Sequence, residues 1–281
     1  MLIIRLCEEL RVTTVEHILG NDWTIEPAGG STGAAYYAQS NKKRLFLKRN
    51  SSPFLAVLSA QGIVPKLVWT KRLENGDVVT AQQWLDGKAL NVEEMQHPKV
   101  ASLLSKIHRS SELLDMLLRI EKTTVTPDNS LAMVREIFEH TDEMKESFLL
   151  YKAYKYLESR IHLMPINETV VCHCDLNHHN WMLSQNGELY LIDWDNARVG
   201  DPAMDIGRIL QSYIPKDDWN LWLGYYGMEN SHHLMQRMHW YLIIDEIVGI
   251  AWSVQQNREK EAISHFKELN QLLHQVNDWN L

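Results

Sequence analysis

The chain has 281 residues, of which 45% are hydrophobic and 23% charged, a composition that suits folded lobes and excludes a disordered or fibrous polymer. Lysine and arginine number 28 against 36 aspartates and glutamates, so the formal net charge is −8, which argues against a dedicated nucleic-acid binder with its usual basic excess. Three scattered cysteines, Cys7, Cys172 and Cys174, make no disulfide framework and imply a reducing setting. No run approaches the roughly 18 apolar residues of a membrane span. The start, Met1 to Arg5, lacks the features of a secretion signal, so the expected location is cytoplasmic.

In chain order, residues 1–22 read as an extra helix or an extension. Residues 23–86 read as a small, mostly β lobe. Trp23-Thr24-Ile25 leads into a Gly/Ser turn, followed by the strands Ala34 to Tyr37 and Arg44 to Lys48. Pro53 to Gly62 reads as one short helix, with proline opening it and glycine closing it. Lys66 to Trp69 and Asp77 to Gln82 form a further strand pair, with Asn75-Gly76 as its tight turn. After a hinge near 83–87, residues 87–281 form a larger helical lobe. Helical spacing runs through 93–121, 130–160 and 217–279. Within 168–195, Thr169 to Val171 and Leu189 to Ile192 read instead as short strands around a polar loop. The fold class is α+β.

The chemistry concentrates in His173-Cys174-Asp175-Leu176-Asn177-His178-His179-Asn180, then Ile192-Asp193-Trp194-Asp195, then Gly200-Asp201-Pro202-Ala203-Met204-Asp205. Two acidic or amide loops after β-like runs suit a divalent metal and a phosphoryl group. Phosphoryl transfer needs positioning and charge neutralisation more than covalent help. Mg²⁺ takes oxygen ligands and keeps several waters, so one carboxylate and one amide suffice.

The pattern His-x-Asp-x₄-Asn, followed by Asp-x-Asp-x₄-Gly-Asp-Pro-x₂-Asp, resembles the aminoglycoside phosphotransferase and choline kinase family, small-molecule relatives of protein kinases. The resemblance covers nearly all of 23–281 and implies a two-lobed protein-kinase-like fold using ATP and Mg²⁺. It makes Asp175 the catalytic base and Asn180 and Asp193 the metal ligands. It makes His173, Asp195 and Asp205 supports of the site. Lys48 falls where the phosphate-binding lysine lies. The turn Gly29, Gly30, Ser31, Thr32, Gly33 falls where the nucleotide is covered, and Gln82, Gln83, Trp84 and Leu85 fall where adenine is held. Leu103 to His108 resembles the family's helix ending in Leu-His. Asn50 to Phe54, Ile63 to Trp69 and Leu191 to Asp195 resemble a bacterial subgroup described as cell-cycle regulators. That likeness implies a small-sugar acceptor such as ribose or deoxyribose, and a protein partner in cell-cycle control. His178, Trp194, Tyr225 and Trp240 are candidate acceptor contacts, with Trp181 and Tyr226 as further aromatics.

One departure stands out. Kinase-like folds pair the strand lysine with a helix glutamate, yet Ser52 to Gly62 holds no acid, and Gln61 is the candidate for that place. The departure keeps open a nucleotide-binding regulatory module with vestigial turnover. Choline-type and aminoglycoside kinases are further alternatives. A zinc site at Cys172, His173, Cys174, His178 and His179 is disfavoured by the tight Cys-x-Cys spacing.

Overall fold

The computed structural model describes residues 19–20, 22–28, 35–120, 123–140, 146–165 and 168–275. Most of the N-terminal extension and the whole turn Gly29 to Gly33 lie outside the described residues. The strands are β1 (Thr24–Pro27), β2 (Ala35–Gln39), β3 (Arg44–Arg49), β4 (Leu67–Arg72), β5 (Val78–Gln83), β6 (Gly87–Ala89), β7 (Val170–Cys172), β8 (Trp181–Ser184), β9 (Leu189–Leu191) and β10 (Arg198–Gly200). The helices are α1 (Phe54–Ala60), α2 (Pro98–His108), α3 (Ser111–Ile120), α4 (Pro127–His140), α5 (Phe148–Arg160), α6 (Ala203–Tyr213), α7 (Trp219–Tyr226), α8 (His232–Gln255) and α9 (Glu259–Gln275). A small antiparallel sheet and a helical lobe make this an α+β, kinase-like fold.

The chain forms two compact units, and the division is not a single cut. One unit comprises Met1–Ala89 with His179–Asp195; the other comprises Leu90–His178 with Asn196–Leu281. The segment 179–195 joins the first unit through hydrogen bonds. β8 pairs antiparallel with β6 and β9, Gln185 N donates to Asp86 O at 3.0 Å, and Leu191 N donates to Ile63 O at 3.0 Å. The sequence pattern missed the three-residue strands β6 and β10, and also β8.

In the first unit the sheet order is β1-β2-β3-β5-β4. Leu45 and Leu47 of β3 share a buried face with Tyr36 and Ala38 of β2 and with Val79 and Ala81 of β5. Leu19, Trp23, Trp69 and Leu73 cover that face. Side chains alternate along a strand, so Lys48 emerges on the opposite face, opposite Thr80. A slip of one residue would bury the lysine and expose the leucines. The β4–β5 connection turns at Gly76, whose φ of +91° is the left-handed conformation expected of Asn-Gly.

In the second unit, the apolar run 93–121 breaks into a 3₁₀ turn and two helices. The breaks follow local chemistry: Pro98 opens α2, the His97 ring caps it by accepting from Lys99 N at 3.1 Å, and Ser110 Oγ caps α3 at Leu113 N. Thr126 and Asn129 cap α4 reciprocally, each backbone N–H donating to the other's side chain. The stretch 217–279 becomes α7, α8 and α9, and α7 stops at Gly227 with φ +86°. α6 lies outside the helical stretches marked from sequence, because its residues had been absorbed into the acidic motif. α8 is buried nearly all round, packing on α4, α5, α6 and α9.

His239 of α8 is fully buried. Leu272 O can only accept, so Nε2 carries the proton to it at 2.9 Å, and Nδ1 accepts from Tyr156 OH at 3.0 Å. Burial holds the ring neutral and lowers its pKa to about 4. The unfolded ring protonates near pH 6.5. Folding stability therefore falls as pH drops from about 6.5 towards 4, where the unfolded state binds the extra proton. Urea unfolding at pH 7.0, 5.5 and 4.5 should show this slope, worth on the order of 3 kcal/mol. H239Q should flatten it even if its stability at pH 7 is lower.

Candidate active site

The first unit gathers Lys48, Asp193, Asp195 and Asn180. Lys48 Nζ donates to Asp193 Oδ1 at 3.1 Å and to Asp195 Oδ2 at 2.7 Å. Burial alone would lower the lysine's pKa, but the hydrogen bond and charge from Asp195 and the charge of Asp193 outweigh it and hold it above its ordinary value. Both carboxylates remain about half exposed, at 52% and 55%. They are accessible to an ion or a phosphate, and the pairs contribute little to stability. Ile192 N donates to Asn180 O at 2.9 Å, tying Asn180 to the residue before Asp193. α1 carries no acid, so the carboxylates on Lys48 come from residues 193 and 195; Gln61 caps the end of α1, donating its N–H to Val57 O at 3.0 Å.

Trp194 is not an open acceptor contact. It is 8% exposed, its Nε1 donates to Leu191 O at 2.8 Å, and its ring meets Phe54 of α1 edge-on at 5.7 Å. It is a wedge that seats α1 beside the two carboxylates.

At the hinge, the Gln82 side chain donates to Pro65 O at 2.9 Å and is thereby used structurally. Gln83 N donates to Lys66 O and Trp84 N to Arg44 O, extending the sheet. Among the described residues, the Leu85 N–H meets no acceptor, leaving it open to a ligand. Trp84 packs edge-on against Tyr37 at 4.6 Å, and Asp86 pairs with Arg44.

The second unit holds Asp175 and its supports. Asp205, 1% exposed, accepts from His173 N at 2.8 Å, Cys174 N at 3.0 Å and His108 Nε2 at 3.0 Å. His108 Nδ1 and Tyr226 OH share a hydrogen bond at 2.7 Å, completing a buried Tyr-His-Asp chain. Burial would raise the Asp205 pKa, but the His108 hydrogen bond and charge and the two backbone N–H groups prevail and hold it below the usual range. His173 Nδ1 then accepts from Asp175 N at 3.2 Å, so the brace reaches the residue expected to act as base. His178 is held by Tyr213 OH, which accepts from His178 N at 3.0 Å.

Backbone strain marks the same loops. Cys174 (φ +61°) and Asp193 (φ +65°) are two of the four non-glycine residues at positive φ among those described. Such outliers gather at functional sites, where surrounding bonds hold them.

Three further aromatic readings need correction. Trp240 is 0% exposed and donates to Leu157 O at 3.1 Å, so it is core. Trp181 and Tyr226 are likewise buried, the latter against His108. Tyr225 is 45% exposed. His108, Tyr226 and Tyr213 were missed as supports. Only the Leu-His ending of α2 signalled the first, and nothing local signals a tyrosine that bonds across more than thirty residues.

The model of the phosphotransferase enzyme family matches residues 24–241. The chain belongs to this family. Protein LicA of Haemophilus influenzae is 27% identical over 165 residues, 53% of this chain and 60% of that relative, so the match spans about three fifths of the relative's length. Choline kinase LicA from Streptococcus pneumoniae has the same fold, with a TM-score of 0.71 at 17% identity over 95% of this chain and 99% of that one. So does the GDP and kanamycin complex of APH(2")-IIia, with a TM-score of 0.69 at 14% identity over 94% and 98%. Among the described residues, no helix of this family member is long and apolar enough to cross a membrane.

Asp205→Ala should destabilise the protein by about 3–5 kcal/mol, because it strands the His173 and Cys174 N–H groups and the His108 ring. The folded pKa is depressed, so the Asp205 contribution is present above the unfolded value near 4 and is lost as pH falls through the folded one. Chemical denaturation at pH 7 and near pH 3 checks both statements.

Proposed function

We propose that this chain moves the γ-phosphoryl group of ATP to a hydroxyl of a small molecule. The observation that carries this reading is Lys48 held between two half-exposed carboxylates, on the loop that also fixes Asn180. Family membership supports it.

The donor set fits Mg²⁺: an exposed carboxylate at Asp193 and an amide at Asn180 are hard oxygen ligands that leave positions for water. When bound, the ion would neutralise phosphate charge and orient the phosphoryl group. The rest falls to the chain. Lys48 presents a cation to the α- and β-phosphates. Asp195 keeps that ammonium charged and aimed. The Leu85 N–H offers a donor to adenine, and the turn Gly29 to Gly33 is assigned to cover the phosphates. Asp175 accepts the acceptor hydroxyl's proton as the oxygen bonds to the γ-phosphorus and the bond to the β-phosphate oxygen breaks, releasing ADP. The nucleotide role falls to residues 23–86 and the acceptor role to 87–281.

We extend the proposal to a small-sugar acceptor and to a role in cell-cycle control through a protein partner, in the cytoplasm. The likeness of Asn50 to Phe54, Ile63 to Trp69 and Leu191 to Asp195 supports that extension. Choline kinase LicA from Streptococcus pneumoniae supplies the competing acceptor, choline.

ADP release from Mg·ATP, measured with ribose, deoxyribose, choline, ethanolamine and kanamycin, tests the reading. One acceptor should stimulate release. Asp175→Asn should lower kcat by about 10²–10⁴-fold with ATP binding retained, as expected for loss of a general base. Lys48→Ala should weaken nucleotide binding as well. ATP binding with no acceptor-dependent release would favour a regulatory module instead.

A further inference from the structure

Within the first unit, α1 and the strands β4 and β5 enclose a cavity of about 510 Å³. That volume falls in the range of small-molecule sites. Thr80 lines it and stands opposite Lys48 across β3 and β5, so the cavity lies on the sheet face that carries the lysine. The phosphoryl-transfer reading gives it no task. Asn50 to Pro53, part of a stretch singled out from the sequence, belongs to its lining.

Hydrogen bonds fix the walls. Ser52 Oγ accepts from Phe54 N at 3.2 Å where α1 begins, and Ser59 Oγ near its end accepts from Leu67 N of β4 at 2.7 Å. Asn50, at φ +56°, accepts from Val78 N of β5 through Oδ1 at 2.9 Å. Thr80 is the buried polar group of the lining, at 4% exposed, and its hydroxyl donates to Lys48 O at 3.1 Å. That uses its one proton, so Ser51 Oγ donates the 3.0 Å bond between the two hydroxyls and keeps its acceptor lone pairs. Leu55, Leu67 and Val78 supply apolar surface. Among the described residues, no charged side chain lines the cavity.

We propose that this cavity binds a neutral, largely apolar small molecule bearing one hydroxyl or amide N–H, and that its occupancy is coupled to nucleotide binding at Lys48. The coupling rests on the nucleotide role given to Lys48 above. The lining selects the ligand. An ion would lose its hydration with no opposite charge to replace it. A ring system gains the apolar wall, and a single donor gains the Ser51 oxygen. Two routes lead from the cavity to the lysine. Thr80 holds the Lys48 carbonyl. α1, whose Leu55 and Ala56 line the cavity, sets Phe54 against Trp194, between the two carboxylates that hold the ammonium. A ligand that shifts either wall changes how Lys48 is presented, and so favours or opposes the nucleotide.

The test titrates the full chain with 4-phenylphenol, a neutral probe of this class, and with its charged counterpart 4-phenylbenzoate, by calorimetry with and without Mg·ADP. The phenol should bind the wild type, and the carboxylate should bind about tenfold more weakly or not at all. Mg·ADP should shift the phenol's Kd by about fivefold and then plateau, and the phenol should shift the Kd for Mg·ADP by the same factor. A56W, which fills the mouth beside exposed Ala56, should weaken the phenol about tenfold while its Kd for Mg·ADP stays within about twofold. T70W, on the facing strand, replaces it if A56W folds poorly. No binding of the phenol, equal binding in A56W and T70W, or displacement by Mg·ADP without a plateau overturns the proposal and leaves the kinase reading intact. A wild type that binds no Mg·ADP overturns the nucleotide reading and the coupling with it, while the loss of phenol binding in A56W still reads the cavity itself.

Discussion

The buried carboxylate of Asp205 is the constraint on which the second unit's chemistry depends. A charge that is 1% exposed persists only if its oxygens are met on all sides. Here they are met by two successive backbone N–H groups and an imidazole, which is itself fixed by a tyrosine hydroxyl. Those N–H groups belong to His173 and Cys174, so satisfying Asp205 sets the path of the chain into Asp175. The left-handed turn at Cys174 is the visible cost, offset by the bonds that hold it.

The first unit solves a different problem. Lys48 must remain charged and pointed although the helix that supplies a glutamate in kinase-like folds carries none. Asp193 and Asp195 take that duty, and Trp194 between them locks the loop against α1. The arrangement draws residues 179–195 into the unit made by the N-terminal sheet, through the pairing of β8 with β6. An exposed ion triple of this kind adds little stability. What it supplies is a cation and two oxygen donors held together in solvent reach.

Much of the site was legible in the chain because its members are close in sequence and polar types are specific. Asp175, Asn180 and Asp193 sit on short loops between strands, where spacing alone restricts geometry. The strand Arg44 to Lys48 was legible too, and the observed pairing then puts the lysine on the face opposite the leucines. The tryptophans were not legible. Trp194 and Trp240 read as stacking surfaces for an acceptor, but an indole buries its large apolar area wherever one N–H acceptor is available, and both found a backbone carbonyl. α6 escaped the helical pattern because its motif residues, including Asp205, obscured its period.

The sequence by itself determined the family, the α+β class, the strand that carries Lys48 and the positions of the acidic loops, since each depends on local spacing and residue chemistry. Only the tertiary structure decided which carboxylates hold Lys48 and that Asp205 closes a Tyr-His-Asp chain. The reason is physical. Those contacts join residues dozens to more than a hundred positions apart, and whether a carboxylate is braced, bare or desolvated depends on packing, which spacing along the chain does not encode.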